Sequence, residues 1–256
     1  MSTYAPTSPP EFIKLISHDL RWALLKALTT SDHRVQELVT LINQPMNLVS
    51  YHLKKLRDNE IVTTRRSEAD ARDIYYSLDI GKLRTLYQTA GISLHPALAN
   101  ATFIPPQTKT IPPSRVLFVC THNSARSQMS EGLMRHVAGQ QIEVFSAGNQ
   151  PTSLHPDAIR TMDALGIDIR GQQPRHIQEF AGQTFDYVIT VCDRAREVCP
   201  EFPGERAQIH WGFTDPAEIE DTRERRRVFK QIAAQLTSRI EYFLVSLSER
   251  PGHNQI

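Results

Sequence analysis

The sequence predicts two domains, an N-terminal winged helix-turn-helix and a C-terminal α/β domain with a parallel sheet. Three observations support this. Helix-period segments up to residue 57 give way to two β-prone runs, which is a helix-turn-helix followed by a hairpin. Residues 101–114 hold four prolines and little charge, which favours an extended spacer. Beyond it, apolar strand-like runs alternate with helical stretches, the pattern of a parallel sheet with helices on both faces. The predicted division is 1–100, a linker at 101–113, and 114–256. At 256 residues the chain is long enough for two domains.

Composition narrows the function classes. With 40% hydrophobic and 22% charged residues the chain is neither disordered nor fibrous. No apolar run reaches the ~18 residues of a membrane helix. Met1–Pro10 has no basic start and no apolar h-region, so the expected location is cytoplasmic, with no membrane partner. Three cysteines, an odd and small number, argue against a disulfide framework, and all three lie in the second domain. Residues 1–113 carry 13 Lys and Arg against 10 Asp and Glu, a slight excess of the sign that nucleic acid attracts.

In the first domain Phe12, Leu15, Ile16, Trp22, Leu25 and Leu28 recur at helical spacing. Ser31-Asp32 reads as the start of a helix carrying Val35, Leu38, Val39 and Ile42. After a turn at Asn43–Asn47, Val49, Leu53 and Leu56 form the inward stripe of a third helix. Ser50, Tyr51, Lys54 and Lys55 fall on its other faces. The runs 61–66 and 72–78 form a hairpin through Ser67–Ala71, edged by Arg65, Arg66 and Arg72, which suit phosphate contacts. A further helix is expected over 82–90.

Ser50-Tyr-His-Leu-Lys-Lys-Leu-Arg-Asp-Asn-Glu-Ile-Val62 resembles the recognition helix and wing entry of ArsR/SmtB-type repressors. The resemblance covers residues 11–90. It implies operator DNA as partner, a homodimer formed through this domain, and Asn47, Ser50 and Tyr51 as base or backbone contacts. Arsenic-sensing members carry a Cys-x-Cys pair near the turn, whereas residues 35–42 here have no Cys. His18, His33, His52 and His95 read as scattered, and no metal site is expected.

In the second domain the apolar run Arg115–Cys120 stops at Thr121-His-Asn-Ser-Ala-Arg126-Ser127, and helical spacing follows through Met129, Leu133, Met134 and Val137. A strand, a short loop and a helix N-terminus together make an oxyanion site. Cys120 is the candidate nucleophile and Arg126 the fork for a tetrahedral oxyanion. Asn123 and Ser127 are expected to hold the loop and the thiolate, and residues 121–127 (Thr121, His122, Asn123, Ser124, Ala125, Arg126 and Ser127) to line the anion site. Strands are expected at 142–148, 185–192 and 208–211, with helical stretches at 155–165, 176–181 and 221–247. Cys120 and Cys192 then share the carboxyl edge of the sheet, where ligands bind. Cys199 follows in a charged loop, at a spacing that permits a thiol relay. Asp215, on a loop after a strand, is a candidate general acid or a turn cap.

Cys120-Thr-His-Asn-Ser-Ala-Arg-Ser-Gln-Met, Phe145-Ser-Ala-Gly148, Val191-Cys-Asp, Cys199-Pro and His210-Trp-Gly-Phe-Thr-Asp-Pro-Ala217 together resemble the thioredoxin-coupled arsenate reductases. These have the low-molecular-weight tyrosine phosphatase fold, and the resemblance spans residues 114–248. It implies that Cys120 attacks arsenate, Cys192 releases arsenite by forming a disulfide with Cys120, and Cys199 passes that disulfide on to thioredoxin, the external reductant. No bound cofactor is implied. Asn123, Glu131 and Ser146 match the potassium site of some members, but its Asp falls near Arg175-His176, so the ion does not carry over. The leading expectation is an arsenic-responsive DNA-binding regulator fused to an arsenate reductase. The alternatives are a regulator whose second domain only senses an oxyanion or redox state, and a phosphatase, for which Ala217 replaces the usual Tyr after Asp-Pro.

Overall fold

A computed structural model of the chain describes residues 8–96, 98, 112–204 and 207–248. Most of residues 1–104 form one compact unit, and the chain from Pro105 onward forms the body of a second. Residues 101–111 of the proline-rich segment lie outside the described residues.

The first unit begins with α1 (Glu11–Ile16) and α2 (Asp19–Thr30), where the periodicity suggested one helix. His18 makes the break: its Nδ1 accepts the Leu20 N–H at 3.2 Å and caps α2. Trp22 shares the helical spacing but is exposed. Ser31-Asp32 does not start the next helix either. Ser31 ends α2, the short strand β1 (His33–Arg34) intervenes, and α3 (Val35–Ile42) is capped from Arg34, whose N–H donates to Glu37 at 2.8 Å. Asn43, left-handed at φ 52°, closes α3. Pro45 then precedes α4 (Met46–Asp58), which starts ahead of the apolar run at Leu48.

Val49, Leu53 and Leu56 of α4 are fully buried against Leu24, Leu28 and Leu38. Each such side chain contributes about 1.5–3 kcal/mol of burial, enough to fix which face of α4 is left outside. β2 (Val62–Arg66) and β3 (Ile74–Leu78) form the expected antiparallel hairpin, and β1 joins on the far side of β3. The last helix, α5 (Ile80–Leu94), extends beyond 82–90 because Asp79 caps it through the Lys82 N–H at 2.8 Å.

In the second unit β4 (Ser114–Cys120), β5 (Ile142–Gly148), β6 (Tyr187–Thr190) and β7 (Ala207–His210) form one parallel sheet in the order β5-β4-β6-β7. The first strand is central, so the order reverses beside it and a crevice opens at its carboxyl end. β4 is buried almost throughout, which explains its unbroken apolar run. The flanking helices are α6 (Arg126–Ala138), α7 (Pro156–Asp163) and α9 (Thr222–Ser248). Buried Asp157 ties α7 to α9 through Arg225 at 2.9 Å and Arg226 at 3.2 Å. The segment 176–181 is a 3-10 turn over Ile177–Phe180. The charged stretch after Cys192 is a helix, α8 (Asp193–Val198), and not the expected loop. No helix of the described residues is long and apolar enough to cross a membrane.

Candidate active site

Cys120 ends β4, and after a five-residue loop α6 begins at Arg126. The sulfur is buried. It receives the Asn123 N–H at 3.1 Å and lies 2.9 Å from Ser127 Oγ. Asn123 Nδ2 donates to Ser127 Oγ at 2.9 Å and to Ser146 Oγ at 2.8 Å. Ser127 Oγ therefore accepts on one side and can aim its hydrogen at the sulfur. Asn123 has a positive φ of 46°, a strained conformation that these bonds hold in place. The carbonyls of Thr121, His122 and Ser124 accept the N–H groups of Gln150, Thr152 and His155, each at 2.9 Å. Tying the carbonyls to the neighbouring segment keeps these acceptors away from an anion held by the loop.

Arg126 is buried at the start of α6 and spans the crevice. Its Nη1 donates to the Phe213 carbonyl at 2.6 Å and its Nη2 to Asp215 Oδ2 at 2.5 Å. Burial disfavours the guanidinium charge, but the carboxylates beside it, Asp215 foremost, outweigh it, so Arg126 is held still more firmly protonated than usual. Asp215 Oδ1 also accepts the Ala217 N–H at 3.0 Å. The turn-cap reading of Asp215 is thus met, and its other oxygen lies on Arg126.

Cys192 caps the N-terminus of α8, its Sγ facing the Ala195 N–H at 3.4 Å and Thr121 Oγ1 at 3.3 Å. Thr121 is Cys120's neighbour, so β4 and β6 bring the two thiols to one place. Behind it, His210 Nε2 lies 2.9 Å from Asp193 and its Nδ1 2.9 Å from Thr190 Oγ1, all buried. Cys199 is half-buried at the far end of α8, beside the Pro200 carbonyl. All three cysteines are free thiols. Burial pushes the Cys192 thiol up from its ordinary 9.0; Arg126 opposes this and the Cys120 sulfur adds to it. A raised value leaves Cys192 protonated at neutral pH. For the Cys120–Cys192 disulfide proposed below, the rate of formation is expected to climb about tenfold per pH unit, with no plateau below pH 9.0. Stopped-flow measurement of a single oxidising turnover checks this, and a plateau near pH 7 would contradict it.

These features coincide with a known family. The model for "Low molecular weight phosphotyrosine protein phosphatase" matches residues 115–252. The chain belongs to this family. Within it, an arsenate reductase of Halalkalibacterium halodurans is 39% identical over 129 residues, 50% of this chain and 93% of that protein. An arsenate reductase of Bacillus subtilis is 36% identical over the same shares. A solved structure titled "An arsenate reductase in the phosphate binding state" is 32% identical, with a TM-score of 0.45, and is covered over 98% of its length and 52% of this chain. The phosphatase-family unit is therefore of arsenate reductase type. Ahead of it, the model for "Bacterial regulatory protein, arsR family" matches residues 18–64.

The potassium ion held by some resembling reductases does not fit this member. Asn123 Oδ1 already accepts the Arg175 N–H at 2.8 Å and Gln128 Nε2 at 3.1 Å. Glu131 meets Arg135 at 2.5 Å and the Arg175 guanidinium at 3.6 Å. The oxygens face N–H donors and fixed positive charge.

On the arsR-family unit, Asn47, Tyr51, Lys54 and Lys55 are exposed on α4 and Ser50 is half-buried. Lys55 Nζ lies over the Tyr51 ring at 5.6 Å. On the wing Arg66 is exposed, whereas Arg65 is half-buried over Tyr75 at 5.5 Å. Arg72 pairs with Asp70 at 2.6 Å, and Arg72's hydrogen bonds bring the Asp70 carboxyl down to about 2. His18 and His52 are not scattered: their rings lie 4.3 Å apart. His52 is buried on the inner side of α4, and burial, with His18 and Arg21, pushes it below its ordinary 6.5.

Sequence reasoning missed His52, His210 and Arg175. Each meets a partner distant in sequence, so no local pattern marks it.

Proposed function

We propose that the chain is a bifunctional, cytoplasmic arsenic-resistance protein, a DNA-binding regulator joined to an arsenate reductase that draws electrons from thioredoxin. The observation that supports it most is the meeting of Cys192 with Thr121, beside Cys120, across from Arg126 and Asp215.

In this reading Arg126 exchanges Asp215 for arsenate, and residues 121–127 surround the oxyanion. The Cys120 thiolate attacks arsenic, and Asp215 supplies the proton with which an oxygen leaves as water. The Cys192 thiolate then attacks Cys120 Sγ. A sulfur–sulfur bond forms, the sulfur–arsenic pair goes to arsenic, and As(V) leaves as arsenite, As(III). Cys199 next attacks Cys192 and frees Cys120. Seven residues of helix rise ~10.5 Å, whereas a disulfide needs Cα atoms within about 6.8 Å. The Cys192–Cys199 bond therefore requires α8 to unwind. With only six residues, this helix has little intrinsic stability to lose.

The DNA-binding part of the proposal rests on the exposed side of α4 (Asn47, Ser50, Tyr51, Lys54 and Lys55) with Arg65, Arg66 and Arg72 of the wing, acting on operator DNA as a homodimer. Arsenite made or captured by the thiols would alter the dimer's grip on DNA, which requires unequal affinity for the two states.

The test is arsenate-dependent NADPH oxidation with thioredoxin and thioredoxin reductase, wild type beside Cys199→Ser. Continuous turnover in wild type and arrest after one equivalent in the variant are expected. Absence of wild-type turnover with reduced thiols would overturn the thioredoxin-coupled reading.

A further inference from the structure

Glu131 is a buried carboxylate that takes no part in the chemistry above. It sits five residues along α6 from Arg126, ~7.5 Å of helix rise. A buried negative charge so close to an anion-binding loop repels the anion unless a cation offsets it. Two guanidiniums do so. Arg135, one turn further along α6, also donates to the Val144 carbonyl at 2.8 Å. Arg175 comes from a separate segment and reaches Glu131 at 3.6 Å.

Arg175 is held on three sides. Its guanidinium lies over Phe180 at 4.9 Å and Phe145 at 5.6 Å. Its N–H donates to Asn123 Oδ1 at 2.8 Å, and its carbonyl accepts the Gly148 N–H at 2.9 Å. One residue thus joins the buried carboxylate, the residue whose N–H meets Cys120 Sγ, and the end of β5.

We propose that Arg175 is a positioning residue for the oxyanion loop and a tethered cation that makes arsenate reduction independent of alkali-metal ions. This rests on the reductase reading. A tethered guanidinium is present at fixed effective concentration, whereas a dissolved ion occupies such a place only as its concentration allows.

The backbone bonds of Arg175 survive truncation, so Arg175→Ala removes only the guanidinium, with its charge and its stacking on Phe145 and Phe180. Its KM for arsenate is expected to rise about tenfold with kcat changed far less, and Arg175→Lys to restore KM. Wild-type turnover is expected to stay within about twofold when KCl is replaced by choline chloride at constant ionic strength. A severalfold drop in choline chloride, or an unchanged KM in Arg175→Ala, overturns the proposal. If Arg175→Ala fails to fold, wild-type melting in the two salts decides: equal midpoints support the tethered cation, and a potassium-specific rise overturns it. Should arsenate turnover be absent altogether, the reductase reading fails, while the melting comparison still tests Arg175.

Discussion

Arg126→Lys is expected to lower arsenate turnover by roughly 10²–10³-fold, although the positive charge is kept. The guanidinium here directs contacts from one plane, among them the Phe213 carbonyl at 2.6 Å and Asp215 at 2.5 Å. Arsenate, a tetrahedral oxyanion, can take the same two-pronged grip. An ammonium is a point charge and cannot hold two oxygens in one fixed orientation. The loss is therefore larger than charge alone predicts and falls on both kcat and KM. A second consequence follows at Cys192, whose thiol Arg126 helps to ionise. Moving or softening that charge slows the disulfide-forming step as well. Steady-state kinetics with a single-turnover measurement of disulfide formation separates the two effects. A loss below tenfold would mean that Arg126 is not the oxyanion clamp.

The parts of the site that lie within one continuous stretch were legible in the sequence. An apolar strand, a five-residue loop and a helix bring Cys120, Arg126 and Ser127 together by local geometry, and the parallel sheet brings Cys192 to the same edge. What escaped was capped or paired in unusual ways. α8 has only Ala195 and the exposed Val198 as apolar positions, and a cysteine caps it in place of Ser, Thr, Asp or Asn. His18, His155 and His176 cap helices or turns elsewhere, again outside the usual signature. Ser31-Asp32 has good capping chemistry, but the strand pairing of His33 and Arg34 with Tyr76 and Tyr75 pushes the helix start downstream. The His18–His52 pair and the reach of Arg175 to Glu131 are tertiary contacts, which no local spacing encodes.

Gly148→Ala is expected to cost about 10²-fold in turnover while leaving the sheet folded. Gly148 pairs with Cys120 in the β4–β5 register, so it lies beside the start of the oxyanion loop. A Cβ at this position would stand 2.5 Å from the Thr121 carbonyl oxygen, 2.9 Å from Asn123 N and 3.1 Å from Asn123 Cβ. The first two are backbone atoms of the loop itself and have no rotamer in which to retreat. The loop must shift as a unit, and the Asn123 N–H leaves its 3.1 Å contact with Cys120 Sγ. Gly171→Ala is the matched control, because a Cβ there meets nothing within 4 Å. Arsenate turnover can be read beside the alkylation rate of Cys120 by iodoacetamide in a Cys192→Ser, Cys199→Ser background. Gly148→Ala should depress both while Gly171→Ala changes neither. Loss of turnover with normal alkylation would place the defect in anion binding by the rest of the loop. Unchanged turnover would mean that the loop tolerates displacement, and that the contacts around Asn123 do not set the reactivity of Cys120.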